Sequence, residues 1–346
     1  MNMKNLLAFL LLIFCLVACN GGTDTPDVSG IKVDLHVERF DKDFSGIDTA
    51  NIEKDLSSLQ NKYPAFYPIF IQNILGLDSA SMNEGITRFI NQNKIITEAA
   101  AGTFQRIETI EKDFEKGFRF VKYYFPDYKV PGLIFFTGPP DAFARKQSGE
   151  LVTGFLTNEF LGVGLQFYLG KDFPMYKDQY YITNIAPEYR SRRFDKEYLV
   201  ADVMKLIVDD IYAEKLNGKG LIEQMIEKGK QWWLLNKFLP AANDSVITGF
   251  TKQQLSWCNA NEGLIWNEII TTEKDLYTRD PLTLQNYIGE APFTQSLSPA
   301  SPGNIGQWVG WQIVKKFAKK NSSLKIDEVL KTDARKILEL AKYKPK

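Results

Sequence analysis

The sequence predicts an α+β fold: a mostly helical single domain with a small, largely antiparallel sheet in its middle third. Three observations carry this. Apolar residues recur every three or four positions through most of the chain. Runs of β-branched and aromatic residues punctuated by turn formers fall together between Lys129 and Gly170. Helices and strands do not alternate, as a doubly wound sheet would require. A composition of 44% apolar and 13% aromatic residues suits a chain that buries a full core rather than a disordered stalk.

The elements follow in order. Residues 31–40 place Ile31, Val33, Leu35 and Val37 in alternation, which reads as a strand. Residues 49–62 form a helix with Ile52, Leu56 and Leu59 on one face. Pro64 and Pro68 interrupt the chain, and a short apolar helix follows over 69–75. Residues 82–124 read as helical almost throughout, until Pro126 ends the pattern. Strands are expected over 129–137, 151–157 and 161–169. Helices are then expected over 197–216, 221–238, 251–271, 304–320 and 325–340.

The N-terminal end has a different character. One lysine precedes an apolar run, Leu6 to Val17, that closes in Leu16-Val17-Ala18-Cys19. The run is shorter than the roughly 20 residues a membrane span needs, so it reads as a signal peptide. Its closing residues resemble the bacterial lipobox, in which the cysteine is acylated and becomes the new N-terminus. The expected organisation is a signal peptide over 1–18, an acylated flexible tether over 19–30 and a globular domain over 31–346. Lipidation is expected at Cys19, and several acyl chains on one residue give stable anchoring. Cys15 leaves with the signal, so Cys258 has no disulfide partner.

The charge balance, 42 basic against 42 acidic residues, favours neither nucleic acid nor an anionic surface. Membrane contact is therefore expected through the acyl chains. One histidine, His36, is present, on the polar side of the first strand. There is no His/Cys zinc pattern, phosphate loop or dinucleotide fingerprint, so no metal and no cofactor is expected. Arg190, Arg192 and Arg193 cluster just before a long helix. Such a group grips a carboxylate or phosphate, or else pairs with Asp195, Glu197 and other acids near the helix start. In Gly303-Asn304-Ile305-Gly306-Gln307-Trp308-Val309-Gly310-Trp311, Gly306 and Gly310 fall one turn apart, which predicts a close helix crossing, expected against the helix starting near Glu197.

Several strings together resemble the gliding-motility-associated lipoprotein GldB family of the Bacteroidetes. They are the lipobox, Glu38-Arg39-Phe40-Asp41, Tyr63-Pro64-x-Phe66-Tyr67, Gly162-Val163-Gly164-Leu165 through Tyr168-Leu169-Gly170, Leu255-x-Trp257-Cys258-x-Ala260-Asn261-Glu262, Ala291-Pro292-Phe293 and Ser301-Pro302-Gly303 through Val314. The family is distantly similar to zinc peptidases bearing His-Glu-x-x-His on a helix. The corresponding register here is Ala201-Asp202-Val203-Met204-Lys205, with both ligand histidines absent, Asp202 in place of the glutamate and Glu262 as a remnant third ligand. The resemblance implies a non-enzymatic, lipid-anchored envelope protein that works with other gliding or secretion proteins. Two rival readings remain: a peptide-binding module, or a residual hydrolase, using Asp202, Glu262, Lys205 and Arg193 around the old cleft.

Overall fold

In the computed structural model, which describes residues 25–142, 144–145, 150–272 and 275–345, four strands lie at the centre in the order β1-β2-β6-β5. They are β1 (Val37–Arg39), β2 (Gly132–Phe136), β5 (Gly154–Leu156) and β6 (Phe160–Gly164), beside a separate two-stranded ribbon, β3 (Ala144–Arg145) with β4 (Leu151–Val152). The signal segment, Cys19 and the first part of the tether lie outside the described residues. Val28 is already buried, and the Ile31 N–H donates to its carbonyl at 3.0 Å.

The α+β class holds, but the sheet is mixed rather than largely antiparallel. β1 runs parallel to β2 with Val37 opposite Leu133, and β2 parallel to β6 with Gly132 opposite Phe160; within this sheet the antiparallel pair is β5 with β6, Leu156 opposite Leu161, and the separate ribbon of β3 and β4 is also antiparallel. The helices between β1 and β2 are a crossover, and a crossover returns the chain in the same direction. Turn residues around Asn158 signal only the local hairpin.

Successive side chains of β2 point to opposite faces, and both faces are covered. Ile134 and Phe136 meet an aromatic core built from Phe40, Phe44, Tyr63, Phe66, Phe70 and Phe89, with Phe40 and Phe66 edge to face at 4.7 Å. Leu133 and Phe135 join the larger core on the other side. The first core is supplied by α1 (Phe40–Ser45), α2 (Ile52–Lys62), a π-helical turn at Ile69–Ile74 and α3 (Met82–Gln92).

The helical run expected over 82–124 is three helices: α3, α4 (Lys94–Thr103) and α5 (Glu108–Tyr124). Asn93 breaks the first junction by turning its side-chain amide onto the Phe89 carbonyl at 3.0 Å. After the hairpin come α6 (Gln179–Asn184), α7 (Glu188–Ser191), α8 (Lys196–Ile211), α9 (Leu221–Phe238) and α10 (Asp244–Thr248). The run over 251–271 splits into α11 (Lys252–Ala260) and α12 (Glu262–Thr272), where Asn261 donates to the Trp257 carbonyl at 2.8 Å. The chain ends with α13 (Pro281–Ile288), α14 (Ile305–Lys320), α15 (Ile326–Lys331) and α16 (Ala334–Ala341).

The axis of the larger core is the pair α9 and α14. The close crossing expected at the glycines exists, but its partner is α9 rather than α8. A Cβ on Gly310 would stand 1.7 Å from the Met225 carbonyl oxygen, and one on Gly229 would stand 2.2 Å from the Gly310 carbonyl carbon. Backbone therefore touches backbone, which only glycine permits. Trp308 and Trp311 are fully buried, and Trp232 meets Trp311 edge to face at 6.1 Å.

Candidate functional site

α9 is enclosed on nearly every side, although it carries Glu227, Lys228 and Lys230, whose side chains are 3%, 2% and 2% exposed. Buried charges persist only when paired and hydrogen-bonded. Lys230 meets that condition fully: its ammonium donates to Glu227 at 3.2 Å, the Tyr212 hydroxyl at 3.2 Å and the carbonyls of Leu330 at 3.0 Å and Thr332 at 2.7 Å. Glu227 in turn accepts from Lys219 at 2.6 Å and from the Tyr212 hydroxyl. This network clamps the chain's last helices onto α9.

A second charged cluster lies along α8. Lys205 bridges Asp202 at 2.9 Å and Glu150 at 3.2 Å, and Lys228 from α9 pairs with Glu214. Burial opposes the Lys205 cation, yet Asp202 and Glu150 outweigh it and raise its pKa above the ordinary lysine value. A lysine so held keeps its charge near neutral pH. Tyr168 is fully buried with its hydroxyl on Thr153 at 2.5 Å; burial and then the charge of Asp202 push its pKa well up.

Arg193 joins this cluster electrostatically. Burial works against its charge, but Glu290, Asp202 and Glu150 more than compensate, so its proton is held more firmly than usual. Its direct partner is Glu290, at 3.0 Å, and Glu290 also pairs with Arg190. The acid that answers these two arginines therefore lies on the loop after α13, not at Asp195 or Glu197. Arg192 differs. Its Nη2 donates to the Gly249 carbonyl at 2.7 Å and to the Gln254 side chain at 3.4 Å, both neutral acceptors. Burial and the neighbouring Arg193 lower its pKa.

Beside Arg192 and Arg193 opens a cleft of about 30 Å³, walled by Tyr189, the Thr248–Phe250 turn, Gln254, Ala291-Pro292 and Pro302-Gly303-Asn304. Gly249 adopts φ +72°, and a Cβ there would strike the Arg193 guanidinium at 2.5 Å, so glycine is needed both for the turn and for the arginine's seat. A larger groove of about 320 Å³ lies between α5, α8 and the loop after α9, with Asp113, Gly117, Val200, Ala201 and Leu239 among its walls.

The residues singled out from sequence are thus divided. Arg193, Asp202 and Lys205 come together in the buried cluster. Ala201 is on the same helix but faces the α5 groove. Glu262 is held elsewhere, accepting from the Tyr343 hydroxyl at 2.7 Å. Among the described residues no group of three His, Cys, Asp or Glu side chains is placed to hold a metal ion. His36 is a surface side chain, 77% exposed, 3.1 Å from Glu38. The residues missed from sequence are Glu290 and Glu150, separated from their partners by long stretches of chain, and Lys230, whose Glu227 is one turn away but whose Leu330 and Thr332 carbonyls are about a hundred residues distant.

The quoted strings acquire physical roles here. Arg39 forks onto Asp41 at 2.7 and 2.5 Å while Phe40 centres the aromatic core. Tyr63 donates to Asp43 at 2.5 Å. Ala291-Pro292 and Pro302-Gly303 meet at the arginine cleft. No curated protein and no solved structure matches the chain. A family model described as gliding motility protein GldB matches residues 22–345, a span that takes in both cores, the glycine crossing and the arginine cleft, and the chain accordingly belongs to the GldB family of gliding motility proteins.

Proposed function

We propose that the protein is a lipid-anchored, non-catalytic envelope component that serves gliding motility through contacts with other gliding or secretion proteins. Family membership links the chain to gliding motility. The non-catalytic part rests on one observation: Asp202 and Lys205, which stand at the register that the resemblance assigns to a peptidase's acid and second histidine, are bonded to each other at 2.9 Å. Paired in this way, neither is poised to activate water. The anchored part is supported by the lipobox at Cys19, and no described helix is long and apolar enough to cross a membrane.

Two experiments test the reading. Cys19→Ser should abolish labelled fatty-acid incorporation and move the protein to the aqueous phase on detergent partitioning; equal labelling of mutant and wild type would sink the anchor. Asp202→Asn should leave gliding intact, whereas crosslinking in whole cells should capture other envelope proteins. A second reading, a peptide-binding module on the old scaffold, is favoured by the α5 and α8 groove, whose volume suits a ligand of several side chains. Loss of gliding in a folded Ala201→Trp variant would favour it. Peptide hydrolysis by the purified protein, lost in Asp202→Asn, would establish the residual hydrolase instead.

A further inference from the structure

We propose that the outer edge of β1 pairs antiparallel with the same edge of a second copy of the chain, joining the two central sheets across a two-fold axis at Leu35. β1 stands at one end of the strand order, with β2 on one side and no strand on the other among the described residues. The Leu133 N–H donates to the His36 carbonyl at 2.7 Å, which turns the backbone groups of the even-numbered residues toward β2 and those of Leu35 and Val37 toward the open edge. Val33, Leu35 and Val37 are half-buried on the larger core while Lys32, Asp34 and His36 are exposed, so the alternation of a strand continues upstream of β1. Among the described residues no backbone or side-chain group bonds to the outward N–H and C=O groups of Val33, Leu35 and Val37. An edge of this kind is a template for another strand.

The charges select both the occupant and the register. Antiparallel pairing of two such edges sets odd-numbered residues opposite odd-numbered ones. With Leu35 opposite itself, Val33 meets Val37, Asp34 meets His36 and Lys32 meets Glu38. Both acids thus face basic side chains, and each contact occurs twice, as a two-fold interface requires. Neighbouring registers fail. An axis at residue 34 sets Asp34 against Asp34, and an axis at residue 36 sets Asp34 against Glu38, and like charges directly opposite are destabilising. A foreign strand of one charge sign would leave part of this pattern unmatched, whereas a second copy answers every charge in it. The inference depends neither on lipidation nor on how the protein serves motility.

Sedimentation of the full-chain protein in an excess of detergent micelles, combined with oxidative crosslinking, tests it. The wild type should dimerise with rising concentration. Lys32→Glu and Glu38→Lys should each weaken the dimer by on the order of tenfold, because symmetry enters each like-charge contact twice, and the double variant carrying both should restore it. Lys32 is exposed and Glu38 partly so, and circular dichroism checks that each variant keeps its fold. Asp34→Cys mixed with His36→Cys should form a disulfide-linked dimer, since directly opposite residues lie within bridging distance. Neither variant alone should do so, because its two new cysteines would stand diagonally, about 7–8 Å apart. A wild type that stays monomeric at every soluble concentration, a double variant no stronger than the single ones, or crosslinking in the mixture no greater than in each variant alone would each overturn the assignment.

Discussion

Replacing Gly310 by alanine separates two opposed effects. Helix propensity alone favours alanine by up to about 1 kcal/mol in a helix interior. At this crossing, however, the new Cβ would stand 1.7 Å from the Met225 carbonyl oxygen and 2.3 Å from its carbon, where contacts below 3.0 Å are essentially never seen. The obstructing atoms are backbone, so no rotamer change relieves them and the two helices must part by more than an ångström. A gap of roughly 0.5–1 Å already forfeits a quarter to a half of each dispersion contact. The losses would fall on the buried side chains that pack around the crossing, Trp308, Trp311, Met225 and Ile226. Overpacking of this kind costs about 1–3 kcal/mol, and the upper end applies because both partners are rigid. A loss of about 3 kcal/mol should lower the melting temperature by roughly 4–5 °C in a domain of this size. Thermal unfolding read by near-UV circular dichroism measures it, beside gliding of the same mutant; Gly310→Leu should be worse. A melting temperature that holds or rises in Gly310→Ala would refute backbone contact, and lost gliding with unchanged melting would make this face a partner surface.

Further outcomes are expected. Lys230→Met takes the donor from the buried Leu330 and Thr332 carbonyls while Glu227 keeps Lys219 and Tyr212, and should destabilise by about 1–3 kcal/mol in urea unfolding. Cys258 is fully buried and its thiol is pushed up to about 12 by burial, so Ellman's reagent at pH 8 should label it only at the rate of unfolding; fast labelling in the native state would contradict the packing of α11. Burial alone would raise the Glu223 carboxyl, but Arg335 at 2.8 Å and the Gly220 N–H at 2.9 Å hold its pKa below the ordinary value. Its contribution is therefore complete above the ordinary glutamate value and lost as pH falls through the lower folded one, so Arg335→Ala should flatten the acid loss of stability between about pH 5 and 3. Elemental analysis of dialysed protein should find well under one zinc per chain; stoichiometric zinc would reopen the peptidase reading.

What could be read from the sequence is what local pattern encodes. The bounds of α9, 221–238, follow from its apolar spacing, and the glycine pair announces a close crossing. The partner in that crossing could not be read, because a bare helix face says only that another backbone approaches. Alternating Lys and Glu on α9 resemble a solvated face, and only the tertiary placement of Tyr212, Leu330 and Thr332 makes burial of Lys230 tolerable. The arginine cluster was visible, but Glu290 lies about a hundred residues away and no local rule connects them. Strand direction was misread for a related reason: parallel pairing is decided by crossovers, whereas turn chemistry reports only on neighbours in sequence. Asn93 and Asn261 each divide a helical run by folding a side-chain amide back on the preceding turn, which apolar periodicity does not register.

The burial of Val28 sets the reach of the whole domain. On a Cys19 anchor of the kind proposed, nine residues lie between the lipid and the first fixed point, and even fully drawn out they span roughly 30 Å. The domain would then patrol a thin layer against one leaflet. Any partner embedded in or bound to that same leaflet would meet it at a local concentration far above its average in the cell, so even a weak contact would hold, while a partner on the opposite membrane would have to bridge the gap itself.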